Sequence, residues 1–249
     1  MAPPKKTSGG ISRASEIWRE PRPKMKLKMI DPFEVKRRSK RDPRRVSYVV
    51  YSRLQEALSR LAFDRCALPL TTTPSPAAHA SGETAVTAEQ RSALLDAIHA
   101  TEPLGDTRIV EVGAYRGATT RFLAENTSRQ IVAVDPFIGY GGNEDDLSAF
   151  KANTRALANV EHLRATSGRA AHEWRLGPVS FIFVDAVHDY VNTRFDPAAW
   201  TRWLVKGGLI AFHDTDNPLF AGTRRAVFEL SKRMSIFSHV EGLTILQVP

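Results

Sequence analysis

The 249-residue sequence predicts an α/β fold: a Rossmann-like, doubly wound, mostly parallel seven-stranded sheet with helices on both faces and an N-terminal helical extension. From Arg108 onward, short apolar runs alternate with stretches of helical character. Runs such as RIVEV, QIVAV, SFIFV and LIAF read as nearly continuous apolar segments, which is typical of strands buried on both faces. This alternation favours a parallel sheet covered by helices.

The elements follow from the periodicity of apolar residues and from turn signals between them. Ligands of such sheets bind beyond the carboxyl ends of the strands, so those ends are where functional residues are expected. The predicted strands are 108–112, 130–134, 160–165, 179–184, 208–212, 236–241 and 243–248, and the predicted helices between them are 118–126, 145–157, 169–175, 196–205 and 222–234.

The sequence divides into a basic arm (1–45), a helical extension with a linker (46–101) and the α/β domain (102–249). Residues 1–60 hold 17 Lys/Arg against 6 Asp/Glu, whereas the remaining 189 residues hold 18 against 21. The positive charge therefore belongs to the N-terminal region. We expect the arm to be disordered, since it has too few apolar residues to offset the entropy of ordering. It could also bind nucleic acid or an anionic surface, and KRRSKRDPRR fits a nuclear-localisation pattern.

The extension predicts two helices. In the first, 47–63, Val49, Leu54, Leu58 and Leu61 recur at spacings compatible with one helix face. After a linker at 71–85, a capping box over 87–90 predicts the start of the second helix. We expect the pair to form a lid or a dimer surface, so a homo-oligomer is one expected partner state.

Composition restricts the class of protein. Cys66 is the single cysteine, which excludes an intrachain disulfide and a cysteine-rich metal site and favours a reducing, cytoplasmic setting. No apolar run approaches the roughly 20 residues of a membrane-spanning helix, so no membrane partner is expected.

The turn after the first strand is the first candidate ligand site. In EVGAYRGATT, Gly113 permits a sharp turn and Gly117 permits a ligand to approach the backbone closely. The following helix offers free N–H groups to a carboxylate or a phosphate. The G-x-x-x-G spacing lacks the denser glycine pattern of a dinucleotide fingerprint. Glu111 beside it suits a cation such as S-adenosylmethionine, and an ordinary glycine-containing turn is the alternative.

Three further strand ends carry polar residues. Asp135 follows the second strand, 22 positions after Gly113, where its carboxylate could accept hydrogen bonds from both hydroxyls of a ribose. A surface turn before Pro136 is the alternative. The ends of the strands at 179–184 and 208–212 read DAVHDY and FHDTD.

These two clusters offer acid–base and metal chemistry. His188 or His213 could take a proton from a substrate hydroxyl. Asp185 and Asp214 could instead hold a divalent cation that orients the hydroxyl. Each histidine could also be a loop residue satisfied by local hydrogen bonds, and for Asp189 and Asp216 a structural role is expected.

Together, EVGAYRGATT, VDPF, FVDAVHDY and LVKGGLIAFHD resemble the class I S-adenosylmethionine-dependent methyltransferases, especially macrocin-type sugar O-methyltransferases and cephalosporin-hydroxylase-like proteins. The resemblance covers about residues 106–216. It implies a sheet whose last hairpin contains an antiparallel strand. The positions it implies for cofactor contacts are Glu111, Gly113, Tyr115, Gly117 and Thr119 after the first strand, Asp135 at the ribose, Ser167 near the adenine, and Asp185 at the transferred methyl.

The resemblance also implies that His188 and Tyr190 lie in the loop beside Asp185. Metal-using relatives have two adjacent acidic residues where this sequence has His213-Asp214, which weakens the case for a magnesium site and strengthens His213 as a base. The function expected is O-methylation of a hydroxyl on a small molecule or sugar, with S-adenosylmethionine and a divalent cation such as Mg²⁺ as cofactors. The alternatives are an inactive methyltransferase-like module that binds nucleic acid through residues 1–45 and a nicotinamide-dependent oxidoreductase.

Overall fold

The computed structural model describes residues 30–71, 86–139 and 142–249. Within these residues, seven strands form one sheet in the order β3-β2-β1-β4-β5-β7-β6. The strands are β1 (Arg108–Val112), β2 (Ile131–Val134), β3 (Val160–Leu163), β4 (Val179–Val184), β5 (Leu204–Phe212), β6 (Ser235–Val240) and β7 (Leu243–Gln247). The helices are α1 (Pro32–Lys36), α2 (Pro43–Leu61), α3 (Ala88–Thr101), α4 (Ala118–Glu125), α5 (Glu144–Thr154), α6 (Ser167–Glu173), α7 (Tyr190–Trp200) and α8 (Ala221–Leu230).

The predicted doubly wound sheet is confirmed. Strands β1 to β5 pair in parallel, whereas β7 runs antiparallel to both β5 and β6. The central strands β1, β2 and β4 are mainly β-branched and aromatic apolar runs, and their side chains alternate between two faces of the sheet. In β4, Phe181 and Phe183 enter the core under α3 and α4, while Ile182 and Val184 enter the core under α6, α7 and α8. Burial of both faces fixes the register, which brings the carboxyl ends of β1, β2, β4 and β5 to one edge.

Several helix and strand boundaries differ from the prediction, and two of the differences have a clear local cause. α7 begins at Tyr190 rather than at 196, because the side chain of Asp189 accepts a hydrogen bond from the backbone N–H of Asn192 and caps the helix there. β5 begins at Leu204 rather than at 208, because Leu204 pairs with Val179 before the register shifts.

The predicted disorder of residues 1–45 is wrong for 30–45; residues 1–29 lie outside the described part of the chain. α1 packs on the domain, where the Asp31 carboxylate accepts a hydrogen bond of 3.0 Å from the backbone N–H of Gly168. Thr166 donates a hydrogen bond of 3.0 Å to Glu34. Specific polar contacts thus order a segment whose composition alone favours disorder. All but the first residue of the predicted linker, 72–85, also lies outside the described residues.

Both predicted N-terminal helices are present. α2 contacts α7 and α8, and the capping box that starts α3 is formed by Thr87 and Gln90. α3 packs on the sheet through Leu94 and Ile98, which are completely buried. Among the described helices, none combines the length and apolarity needed to cross a membrane.

Candidate active site

Backbone strain is concentrated at the carboxyl edge of the sheet. Among the described residues, four non-glycine residues have positive φ, and three of them, Tyr115, Phe137 and Asp214, lie two or three residues after the ends of β1, β2 and β5. A side chain in this region costs about 1–3 kcal/mol and persists only where the surrounding structure imposes it. The edge that the sequence predicts as functional is therefore also where the backbone is most constrained.

Gly113 brings the turn after β1 against the turn after β4. Its φ is +93°, and a Cβ atom at this position would lie 2.1 Å from the carbonyl oxygen of Asp185. The predicted need for glycine is confirmed, and the close approach is to the neighbouring turn. As a result the loop that carries Tyr115 and the loop that carries Asp185 are in direct contact.

Gly117 was predicted to let a ligand approach the backbone, and the structure gives a different reason for the glycine. Gly117 has a φ of +76°, but a Cβ atom there would meet the ring of Phe150 at 2.8 Å and Thr154 at 3.3 Å. The space beside Gly117 is thus filled by α5 instead of being left for a ligand. Thr119, in the first turn of α4, is buried with an exposed fraction of 8%.

Asp135 ties the turns after β1 and β2 together. Its Oδ2 accepts a 3.0 Å hydrogen bond from the backbone N–H of Tyr115, and its Oδ1 accepts a 2.7 Å hydrogen bond from that of Phe137. Burial raises the pKa of Asp135 despite these hydrogen bonds, which oppose the rise. Each oxygen keeps a second lone pair, so further acceptance from a ligand hydroxyl is chemically feasible.

Glu111 lies beneath the edge and is not part of the open surface. Its side chain is 1% exposed and accepts a short hydrogen bond from Thr120 of α4. Burial raises its pKa to about 8, the Thr120 hydrogen bond opposes this, and the charges of Asp185 and Asp135 add to the rise. Glu111 and Asp135 therefore lie at the same edge, as predicted, and a contact between Glu111 and the cofactor stays a prediction.

Ser167 starts α6 and has its hydroxyl engaged by neighbouring helices. It donates a 2.6 Å hydrogen bond to Asp196 and accepts one of 2.9 Å from the Trp200 indole. The neighbouring residues open into a pocket of about 390 Å³ between the ends of β2 and β3. Its lining comprises Pro136, Ile138, Ala165, Thr166, Arg164, Arg169 and, from the N-terminal segment, Glu34, Arg37 and Arg38. Thr166 therefore borders this space, while the hydroxyl of Ser167 faces α7.

The ends of β4 and β5 assemble four polar side chains, which we call the Asp–His box: Asp185, His188, His213 and Asp214. The His188 Nε2 lies 3.3 Å from Asp185 Oδ1 and 3.6 Å from Asp214 Oδ2. The His213 Nδ1 lies 3.3 Å and 3.5 Å from the same two oxygens. The structure thus brings together all four residues predicted for acid–base or metal chemistry.

The charges of the box are strongly coupled. Burial would raise the pKa of Asp185, but hydrogen bonds from His188 and His213 outweigh it and hold that pKa well below its usual range. For His213, burial would lower the pKa, but the hydrogen bonds to Asp185 and Asp214 raise it to about 10. At neutral pH His213 is then an imidazolium without a free lone pair, which argues against its predicted role as the base.

The box also has the donors of a cation site. Oxygens of Asp185 and Asp214 and a ring nitrogen of His188 lie within 4.8 Å of one another. The two predicted metal ligands are therefore close together, and His188 adds a nitrogen. Carboxylate oxygens suit Mg²⁺ and Mn²⁺, whereas an imidazole shifts the preference toward Mn²⁺, Zn²⁺ or Fe²⁺.

Two residues near the box were not predicted. The Gln90 Oε1 lies 3.2 Å from His213 Nε2, and the ring of Phe220 packs against the ring of His188 with centroids 4.7 Å apart. Gln90 was identified only as part of the capping box, and its second contact joins positions 123 residues apart. No local signal in the sequence could have predicted either contact.

The neighbouring polar residues have structural roles. Asp189 caps α7, as expected. Asp216, also as expected, forms an ion pair with Arg224 at 2.7 Å and lies 3.2 Å from the His239 Nε2. Tyr190 points away from the box, because its hydroxyl donates a 2.8 Å hydrogen bond to Glu229 of α8.

Comparison with known proteins finds one matching family and several structures of similar fold. Residues 110–215 match the family described as "Methyltransferase domain". Cofactor-bound Rv0187 from MTB is 18% identical, with a TM-score of 0.53 over 84% of this chain and 99% of that one. The O-methyltransferase NovP is 14% identical, with a TM-score of 0.53 over 65% of this chain and 81% of that one. The S-adenosylhomocysteine (SAH)-bound methyltransferase PaMTH1 of Podospora anserina is 16% identical, with a TM-score of 0.51 over 66% and 80%.

The matched residues and the strand order agree with the class I methyltransferase fold that the sequence resemblance implies. The predicted edge, at the ends of β1, β2, β4 and β5, lies within the matched residues. The likeness to macrocin-type enzymes stays a prediction, because structural neighbours of such low identity establish the fold alone.

Proposed function

We propose that the protein transfers the methyl group of S-adenosylmethionine to a hydroxyl oxygen of a small molecule or sugar. The observation that carries this proposal is the Asp–His box, which lies against the Gly113 turn through the contact of Gly113 with Asp185. A proton-accepting group is needed beside the methyl donor when the acceptor is a hydroxyl. Positioning of the two reactants supplies most of the remaining rate, because the sulfonium is already activated.

The cofactor is proposed to lie along the carboxyl edge of β1, β2 and β4. Asp135 would accept from the ribose hydroxyls through its remaining lone pairs, and the adenine would extend toward the pocket lined by Pro136 and Thr166. The methionine end would lie over the turn of Gly113 and Tyr115, above the buried Glu111. The methyl group would then face Asp185.

His188 is the better candidate for the base. His213 has both ring nitrogens in contact, Nδ1 with the two carboxylates and Nε2 with Gln90. For His188 the contacts with the carboxylates involve Nε2. Asp185 can thus hold the Nε2–H tautomer, which leaves Nδ1 as the proton acceptor.

The proposed step balances as a displacement at the methyl carbon. The acceptor oxygen forms a bond to the methyl carbon while the carbon–sulfur bond breaks, and its electron pair stays on sulfur in S-adenosylhomocysteine. The hydroxyl proton passes to His188. Asp185 stabilises the resulting imidazolium through the 3.3 Å contact with Nε2.

A metal-assisted form of the same reaction is the second candidate, favoured by the cluster of Asp185, His188 and Asp214. A divalent cation held there would lower the pKa of the acceptor hydroxyl and orient it. In that form His188 binds the cation and does not take the proton.

The cofactor is tested by titrating the protein with S-adenosylmethionine in a calorimeter. We expect saturable binding that Asp135→Ala weakens at least tenfold and that Glu161→Ala, at an exposed site on β3, leaves unchanged. No binding to the wild type would end the proposal, and equal affinity of Asp135→Ala would remove the ribose contact.

The reaction is tested with radiolabelled S-adenosylmethionine and a panel of hydroxyl acceptors. His188→Gln should lower kcat about 10²–10⁴-fold while leaving cofactor affinity unchanged. Retention of activity after EDTA treatment supports the base mechanism, whereas loss that Mn²⁺ restores supports the metal-assisted form. Salt-sensitive nucleic-acid binding through residues 1–45, without transfer to any acceptor, would favour the inactive module instead.

A further inference from the structure

Helix α2 packs on the domain through its polar side chains. Glu56 accepts a 2.7 Å hydrogen bond from the backbone N–H of Tyr190, the first residue of α7. Arg225 of α8 donates a 3.1 Å hydrogen bond to the side chain of Gln55. The only residue of α2 that is fully buried is Ser59. The inward face of α2 is thus polar, the reverse of an ordinary surface helix.

The outward face of α2 is apolar. An aliphatic stripe runs along it at spacings of four, four, four and three residues, with each side chain between 42% and 82% exposed: Val46, Val50, Leu54, Leu58 and Leu61. Tyr51 borders the stripe and is half exposed. Side chains at these spacings lie on one face of a helix, so they form one continuous patch. A patch of this kind on an isolated domain marks an interaction surface.

The same face carries only positive charge. Three arginines, at 44, 53 and 60, are exposed along α2, and the single acidic residue of the helix, Glu56, faces the domain. The preceding segment adds exposed cations at 36, 40 and 41, while Arg38 is paired with Asp42 at 3.2 Å. Aliphatic side chains bordered by arginines without acidic residues are typical of helices that lie in a membrane interface.

We propose that the outward face of α2 docks on the surface of an anionic lipid membrane, with the helix parallel to the membrane plane. The aliphatic stripe would enter the boundary between headgroups and acyl chains, while the arginines contact lipid phosphates. The expectation of no membrane partner rested on the lack of a spanning segment, which does not bear on docking at the surface.

The charges favour lipid over a second copy of the chain. Two copies packed about a two-fold axis along the stripe would bring their arginines together, and α2 offers no exposed carboxylate to pair with them. Nucleic acid would satisfy the arginines but leave the aliphatic side chains in water. An anionic bilayer satisfies both, and the attraction extends about 10 Å at 0.1 M salt.

The test is co-sedimentation of the full-length protein with phosphatidylcholine vesicles, with and without 25% phosphatidylglycerol. The two vesicle types differ only in negative surface charge, so the difference in binding measures the electrostatic contribution. We expect binding to the anionic vesicles, at least tenfold weaker binding to the neutral ones, and further loss at high salt. Equal binding to both compositions, or binding to neither, would overturn the proposal.

Variants then locate the surface. Leu54→Gln/Leu58→Gln should weaken vesicle binding at least tenfold, and so should Arg53→Glu/Arg60→Glu. The matched controls are Leu219→Gln and Arg233→Glu, which change an exposed leucine and an exposed arginine elsewhere. Circular dichroism and thermal melting establish that the variants fold. Unchanged binding in both α2 variants would place the lipid contact outside α2 and overturn the proposal.

Sedimentation velocity without lipid tests whether the stripe instead binds a second copy of the chain. A monomer that binds anionic vesicles supports the proposal. A dimer that Leu54→Gln/Leu58→Gln dissociates would show that the stripe is a subunit interface and would overturn it. This outcome is independent of methyl transfer, since none of the substituted residues contributes to the Asp–His box.

Discussion

Replacing Glu111 by glutamine should remove a loss of stability that the wild-type protein suffers as the pH rises. The Glu111 carboxyl lies below the sheet edge, 1% exposed, with Thr120 as its hydrogen-bond donor. Burial raises its pKa from 4.5 to about 8. The folded protein therefore keeps a proton on Glu111 over a pH range in which the unfolded chain has lost it.

The sign and size follow from proton linkage. Because the folded pKa is raised, the favourable contribution of Glu111 is complete below pH 4.5 and is lost progressively as the pH rises to about 8. At about 1.36 kcal/mol per pH unit, the whole range corresponds to about 5 kcal/mol, of which about 4 kcal/mol falls between pH 5 and pH 8.5. Glutamine keeps an acceptor for Thr120 and cannot ionise, so the variant should lack this loss.

Urea unfolding of the two proteins at pH 5, 6, 7 and 8.5 measures the effect. The free energies of unfolding should be similar at pH 5 and should differ by about 4 kcal/mol at pH 8.5, in favour of the glutamine variant. Glu161→Gln, which removes an exposed carboxyl from β3, is the control and should follow the wild type. Parallel curves for wild type and Glu111→Gln would refute the reasoning and would mean that Glu111 is ionised in the folded protein.

Further predictions concern the supports of the site. Burial raises the pKa of Asp196 to about 7, so Asp196→Asn should abolish a stability loss of about 3 kcal/mol between pH 4 and pH 7, measured by the same unfolding series. Gly113→Ala should abolish binding of S-adenosylmethionine in calorimetry, because its Cβ would lie 2.1 Å from the carbonyl oxygen of Asp185. Gly105→Ala, where φ is +90° and no atom lies within 4 Å, should cost about 1–3 kcal/mol from the backbone alone and retain binding. If both variants bind the cofactor equally well, the contact between Gly113 and Asp185 does not control the site. Glu56→Ala should cost about 1–3 kcal/mol in thermal or urea unfolding, since it leaves the first backbone N–H of α7 without its acceptor, and an unchanged midpoint would argue that water replaces it.

The sheet was predictable because its strands are buried on both faces. RIVEV and SFIFV have no polar alternation that would suit a one-sided strand, so the boundaries of β1 and β4 agree with the prediction. The start of α7 was not predictable in the same way. The helix was predicted to start at 196, whereas the cap by Asp189 places the first turn six residues earlier.

The sequence predicted which residues of the site lie near one another, because the topology of the sheet alone determines this. Strand ends of a parallel sheet share an edge, so His188 and His213 were expected near each other and lie in one cluster. The charge of His213 was not predictable, because it depends on two carboxylates within 3.5 Å that only the folded turns bring together. The ordering of Asp31 and Glu34 likewise depends on partners more than 100 positions away.

The side chain of Gln90 serves two parts of the molecule at once. Its Oε1 accepts from the backbone N–H of Thr87 at 2.9 Å and lies 3.2 Å from His213, while its Nε2 donates to the carbonyl oxygen of Glu241 at 2.6 Å. Fraying of the first turn of α3 would withdraw all three contacts in a single motion. Amide exchange at the start of α3 and the orientation of the His213 ring should therefore respond to the same opening event, which makes an ordinary helix terminus a determinant of how long the site stays assembled.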